Sequence, residues 1–182
     1  DDRRVRAAIK AAQAAGVLIV CSAGNTGTDI DRRPLFPVAV PAPNLIGVGA
    51  TAPADGLALS KFSNYGSLTV PVAAPGEGVV STARDGGYET RSGTSMAAPH
   101  VAGVAALMAS ANPRLSAAEL RALLLEHAVR LPEAGRPGAV EALASVEAAM
   151  RTPADPLDQA PQARIVSVTQ TADALRAQYR VQ

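Results

Sequence analysis

The sequence predicts an α/β fold with a mainly parallel sheet flanked by helices, and three observations carry that expectation. Val17-Leu18-Ile19-Val20-Cys21 and Leu45-Ile46-Gly47-Val48-Gly49-Ala50 are unbroken apolar runs. A strand with one wet face alternates, whereas an unbroken run is the pattern of a strand covered on both faces, as parallel strands are. Residues 1–15 place Val5, Ile9 and Ala12 on one helical face, with Arg3, Arg4, Arg6 and Lys10 largely elsewhere. Between Arg91 and Arg114 there is no charged residue, so a helix starting at polar Gly93-Thr94-Ser95 continues as a buried rod. The chain has 182 residues, 48% of them apolar, enough for one domain and a remainder.

The elements follow in order. Gly16 is the expected C-cap of the first helix. Ser22-Ala23-Gly24-Asn25-Thr26-Gly27 leaves the first strand at its C-terminal end, the edge where open parallel sheets bind ligands. Residues 28–43 form a loop with Pro34, Pro37, Pro41 and Pro43. Asp29, Asp31, Arg32 and Arg33 read there as a solvated patch, and cation ligation by Asp29 and Asp31 is the competing reading. The glycines of the second strand fail the G-x-G-x-x-G spacing of a dinucleotide site. Asp55-Gly56 and Gly66 mark turns. Leu68–Ala74 is expected as a third apolar strand, ended by Pro75-Gly76. Val79–Thr82 and Tyr88–Ser92 flank Asp85-Gly86-Gly87, a hairpin pattern.

The serine helix is expected to run to about Ala111, capped by Thr94 or Ser92, with Pro99 in its tolerant first turn. Asn112-Pro113 stops it. Ser116 and Glu119 make a capping box for a helix to about Ala128, with Leu120, Leu123, Leu124 and Leu125 on or near its buried face. A last amphipathic helix spans Glu141–Met150. The domain organisation expected is therefore 1–150 as the main domain, 151–163 as a Pro-rich linker, and 164–182 as the start of a second β-rich module. Ile165–Thr169 and Leu175–Val181 alternate in that last stretch.

Net charge is +1 and scattered, which argues against a nucleic-acid surface. The longest apolar run, Val101–Ala109, falls well short of the roughly 20 residues of a membrane span. Cys21 is the sole cysteine, so neither an internal disulfide nor a Cys-based metal site can form. It reads as a buried strand residue. Beginning at Asp1 rather than Met, the chain is expected to be a piece of a longer protein.

Ser95 stands at the positive end of a helix dipole, beside free backbone N–H groups, where an attacking serine would find its oxyanion stabilised. An ordinary capping serine is the bland reading. The succession Ala23-Gly24-Asn25, then Phe62-Ser63-Asn64-Tyr65-Gly66, then Ala74-Pro75-Gly76, then Gly93-Thr94-Ser95-Met96-Ala97-Ala98-Pro99-His100-Val101-Ala102-Gly103 decides between them. It resembles the C-terminal half of the subtilisin-like serine proteases, the subtilases, over roughly Arg3 to Met150.

The resemblance implies a three-layer α/β domain, incomplete in this chain. It implies Ser95 as nucleophile, Asn25 as oxyanion donor, Ala23 and Gly24 as backbone lining the substrate pocket, and Met96 as an oxidation-prone neighbour. It implies a peptide or protein substrate, no cofactor for the chemistry, and structural calcium with unassigned ligands. An extracellular or cell-envelope location also follows from the family alone.

Against the family's pattern, the catalytic Asp and His motifs are absent. A serine needs a base, and the base an orienting carboxylate. The histidines are His100, part of the serine block and offset from the Ser95 side, and His127, near the end of a later helix. Neither is expected to be the base. The reading is a serine endopeptidase whose Asp and His come from a missing N-terminal half, a partner without which this fragment is inactive and exposes an apolar sheet edge. The alternative is a pseudoprotease or protein-binding module that keeps the fold. A nucleophile-elbow hydrolase fits less well: Ala97 breaks the Gly-x-Ser-x-Gly pattern with another small residue, and the surrounding motifs decide against it.

Overall fold

The structure is a computed structural model and describes residues 2–53, 58–84, 86–132, 137–153 and 164–168. The expected turn at Asp55-Gly56, most of the expected linker and the stretch after Val168 lie outside those residues. The elements are α1 (Arg3–Ala14), β1 (Val17–Ser22), β2 (Leu45–Thr51), β3 (Val72–Pro75), β4 (Val79–Thr82), β5 (Tyr88–Arg91), α2 (Thr94–Ala111), α3 (Ala117–Glu126), β6 (Val129–Arg130), β7 (Gly138–Ala139), α4 (Ala142–Arg151) and β8 (Arg164–Val168). One sheet has the order β6-β7-β3-β2-β1-β8, and β4 and β5 pair separately as the expected hairpin. Every pairing in the large sheet is parallel except β6 with β7.

The two-sided burial of β1 explains its apolar run. Leu18 and Val20 join Ile46, Val48, Val72, Ala97, Val101, Ala105, Met108, Leu120 and Leu124 in one core, between the sheet and α2, α3 and α4. Cys21 turns to the other face and packs with Ile9 of α1, Ile30, Val38, Val40, Leu45 and Val70. Burial of this kind contributes about 1.5–3 kcal/mol per large side chain. It also pushes the Cys21 thiol up to about 12, so the thiol stays protonated and inert.

Several boundaries differ from expectation for identifiable reasons. β3 starts at Val72, not Leu68. The N–H groups of Leu68 and Thr69 are taken by the Asp31 carboxylate, Val70 N–H donates to Gly66 O, and Pro71 has no N–H. Leu68 is 82% exposed rather than buried. The short strands β6 and β7 carry too few residues for any periodicity. Gly16 follows the α1 C-cap residue Ala15 with φ 69 and donates to Gln13 O, a left-handed helix stop. Ser116 and Glu119 form the expected capping box.

The segment at 164–168 is a strand, as expected, and it lies beside β1 in the same sheet, with Val17 opposite Arg164 and Cys21 opposite Val168. Ile165 packs against the larger core.

Candidate active site

β1 ends at Ser22, and the chain turns through Ala23, Gly24 and Asn25 at the C-terminal edge of the sheet. Asn64 holds this turn in place. Its Nδ2 donates to Ala23 O at 2.9 Å, and its Oδ1 accepts from Thr26 N, Thr26 Oγ1 and Thr28 N at 3.1, 2.8 and 3.0 Å. Its backbone N–H donates to Gly24 O. Gly24 has φ 98, and a Cβ there would stand 2.5 Å from Asn64 Nδ2, so only glycine fits.

The serine helix meets this turn directly. Asn25 Oδ1 accepts from Thr94 N at 2.8 Å and from Thr94 Oγ1 at 3.0 Å, while Thr94 Oγ1 accepts from Gly24 N at 3.0 Å. The N-cap of α2 is Gly93, which has no side chain to bond. The expected local cap by Thr94 or Ser92 is thus replaced by one from another element: Asn25 satisfies the first helical N–H, and Ser92 Oγ instead accepts from Gly78 N. Because a backbone N–H faces it, the amide end toward Thr94 must be the oxygen. Asn25 Nδ2 is then the other end, 3.2 Å from where a Gly93 Cβ would lie.

Ser95 is the second residue of α2 and 7% exposed. Helix N-terminal N–H groups lack intrahelical acceptors, and α2 carries no acidic residue in its first turn to compete for them. Pro99 is the sixth helical residue, past the first turn where it was expected, so the Ser95 carbonyl loses its usual N–H partner. Gly76 N-terminal to the hairpin lets the Ala74-Pro75-Gly76 turn approach: its O accepts from Gly93 N at 2.7 Å, and a Cβ on it would meet Ala50 Cβ at 2.5 Å.

A cavity of about 330 Å³ opens at Ser95, walled by Val79, Val80 and Ser81 of the hairpin and by Met96, Pro99 and His100 of the helix. His100 therefore borders the same cavity as Ser95, which its five-residue offset does not suggest. Its Nδ1 is bonded to Met96 O at 2.8 Å, which makes Nδ1 the protonated nitrogen. His127 is the C-cap residue of α3 and does not line the cavity.

Asp29 and Asp31, the candidate cation ligands, are engaged by protein donors, Asp29 within its loop and Asp31 from the run into β3. Asp29 Oδ1 accepts from Asp31 N, and Asp31 accepts from Ser67 Oγ, Leu68 N, Thr69 N and Thr69 Oγ1. Among the described residues no group of three or more His, Cys, Asp or Glu side chains gathers. The structure places Ala23, Gly24 and Asn25 on one turn, which Gly24 N and Asn25 Oδ1 join to Thr94, the residue before Ser95. The only sequence signal for the role of Asn64 is a polar residue that can both donate and accept.

The start of α2, where Ser95 lies, is thus held against the turn at the C-terminal edge of a parallel sheet. The subtilase family model matches residues 1–156. The chain belongs to the subtilase family. It is 43% identical over 121 residues to alkaline serine exoprotease A of Vibrio alginolyticus, covering 66% of this chain and 21% of the relative. It is 40% identical to alkaline elastase YaB of a Bacillus strain, covering 79% of this chain and 35% of the relative. With thermitase of Thermoactinomyces vulgaris it shares 41% identity, over 66% of this chain and 39% of the relative. The solved structure of a cold-adapted subtilisin-like serine proteinase superposes with a TM-score of 0.69 at 36% identity, over 79% of this chain and 51% of that one. The chain thus spans a fifth to about half of the length of these relatives.

Proposed function

We propose that this chain is the nucleophile-bearing part of a serine endopeptidase that cleaves peptide bonds through an acyl-enzyme on Ser95. The observation that carries this is the lock between Asn25 and Thr94. It fixes the amide oxygen inward and leaves Nδ2 as a donor beside the helix N-terminus that holds Ser95. In the reaction Ser95 Oγ attacks the scissile carbonyl carbon. The oxyanion that forms accepts from Asn25 Nδ2 and the Ser95 N–H. The serine proton passes to a histidine base and on to the leaving amine, and water then releases the acyl group. Ala23 and Gly24 line the pocket for the substrate residue before the scissile bond.

The base and its orienting aspartate come from a segment outside residues 1–182. The Nδ1 partner of His100 is the Met96 carbonyl rather than an orienting carboxylate, and His127 stands at the C-terminus of α3 outside the Ser95 cavity, so neither is assigned as the base. Residues 1–182 alone are therefore inactive. An extracellular or cell-envelope location belongs to the same reading, supported by an exoprotease and an elastase among the relatives. Structural calcium remains a family expectation with no ligands assigned.

Labelling with an organofluorophosphate tests the reading. The 182-residue chain alone should stay unlabelled, and the chain combined with the Asp- and His-bearing segment of its parent should be labelled at Ser95. A folded, complete parent that leaves Ser95 unmodified would instead mark a binding module that keeps the fold.

A further inference from the structure

A second cavity, of about 140 Å³, lies at the opposite edge of the sheet from Ser95. Its walls are the 38–42 loop, Leu68, Thr69 and the half-buried Arg121 of α3. Arg121 Nε donates to Leu45 O at 3.0 Å, at the first residue of β2, whereas Asn25 follows the last residue of the parallel β1. That bond uses one of five guanidinium N–H groups and, among the described residues, leaves the Nη fork uncommitted. Arg121 forms no ion pair among the described residues. Asp31, which bonds the Leu68–Thr69 wall, turns both oxygens to Ser67, Leu68 and Thr69 and does not line the cavity. Across Val40-Pro41-Ala42 lies a further cavity, which Arg6 and Lys10 border, and neither cavity has an acidic wall.

We propose that the Arg121 cavity is a carboxylate-binding site, taking a carboxylate with a short apolar body. A guanidinium half removed from water beside a space of its own size lacks the anion that would replace lost hydration. Burial also lowers the Arg121 pKa from its ordinary value, a sign that the charged form is under-solvated. The planar fork matches a carboxylate through two parallel N–H···O bonds. The Val38, Val40 and Leu68 side chains suit an alkyl body.

The shared chemistry has two sources, a free small acid or the terminal carboxylate of a peptide. The test titrates propionate, propionamide, acetyl-Ala-Ala and its C-terminal amide into the 182-residue chain, following the Thr69 amide and Arg121 Nε signals by ¹⁵N NMR. Saturable shifts with propionate, with the peptide acid, or with both, and none with the neutral amides, support the site and name its source. Arg121→Met should weaken that binding about tenfold or more, equivalent to about 1.4 kcal/mol. Arg121→Lys should retain part of it. Equal responses to acid and amide, or none to either acid, overturn the proposal, and this wild-type comparison decides even if Arg121→Met fails to fold. The test does not depend on the peptidase reading.

Discussion

Asn25 carries two duties on the two ends of one amide, and substitution can separate them. Asn25→Asp keeps an oxygen for Thr94 N and Thr94 Oγ1 but removes the Nδ2 donor. Asn25→Ala removes both. In the reconstituted enzyme both variants should lose about 10²–10³ in turnover, a scale borrowed from subtilisin, another subtilase. Only Asn25→Ala should also destabilise the chain, by about 1 kcal/mol for a lost helix cap. Chemical denaturation alongside steady-state kinetics checks both, and equal stability of the two variants would remove the capping role. Ser95 and Asn25 were legible because each sits in a compact local motif. Asn64 was not, because its bonds reach 36 to 41 residues away, and nothing within its own neighbourhood encodes them.

At the scale of elements, the 28–33 loop and the run into β3 are joined by one carboxylate. Burial pushes the Asp31 pKa up, but the hydrogen bonds from Thr69, Leu68 and Ser67 outweigh it and hold the carboxyl below its ordinary value. A lowered folded pKa means that this contribution is complete above the unfolded value of about 3.9 and fades as pH falls through the folded one. Stability should therefore drop on acidification below about pH 4 in the natural chain, and less steeply in Asp31→Asn. Parallel pH-dependent melts that coincide would refute it. The same carboxylate explains why β3 starts later than expected: Leu68 is apolar and Thr69 β-favouring in sequence, yet their N–H groups are claimed from another loop. Unbroken apolar runs gave β1 and β2 correctly because burial on two faces leaves a mark that no distant bond can erase.

Over the whole molecule, β8 covers the outer edge of β1. Ile19 and Ala23 donate toward β2 and its approach, so the alternate N–H groups of Leu18 and Val20 face β8. Deleting residues 164–182 should speed amide exchange at Leu18 and Val20 and promote self-association through the bared edge. Hydrogen exchange and light scattering read the two effects, and unchanged protection at those amides would show that β8 does not hold the edge. Alternation marks Ile165–Thr169 as a strand, against Arg164–Val168 observed. Its partner was not legible, since alternation says nothing of which edge a strand joins.

The lock between the Ala23-Gly24-Asn25 turn and the serine helix joins groups 69 and 70 residues apart in the chain. Contacts so distant form late, after the cost of closing a long loop has been met. On a ribosome adding about 5–20 residues per second, Asn25 emerges about 3–14 seconds before Thr94. In that interval Val48, Phe62 and Asn64 are already in the chain to seat the turn, Val48 O through Ala23 N, Phe62 O through Gly27 N and Asn64 Oδ1 through Thr26 N. The order of synthesis thus matches an order of assembly: the turn is placed first, and the amide is fixed in direction only when the helix bearing Ser95 arrives. The donor and the serine become ordered in one step.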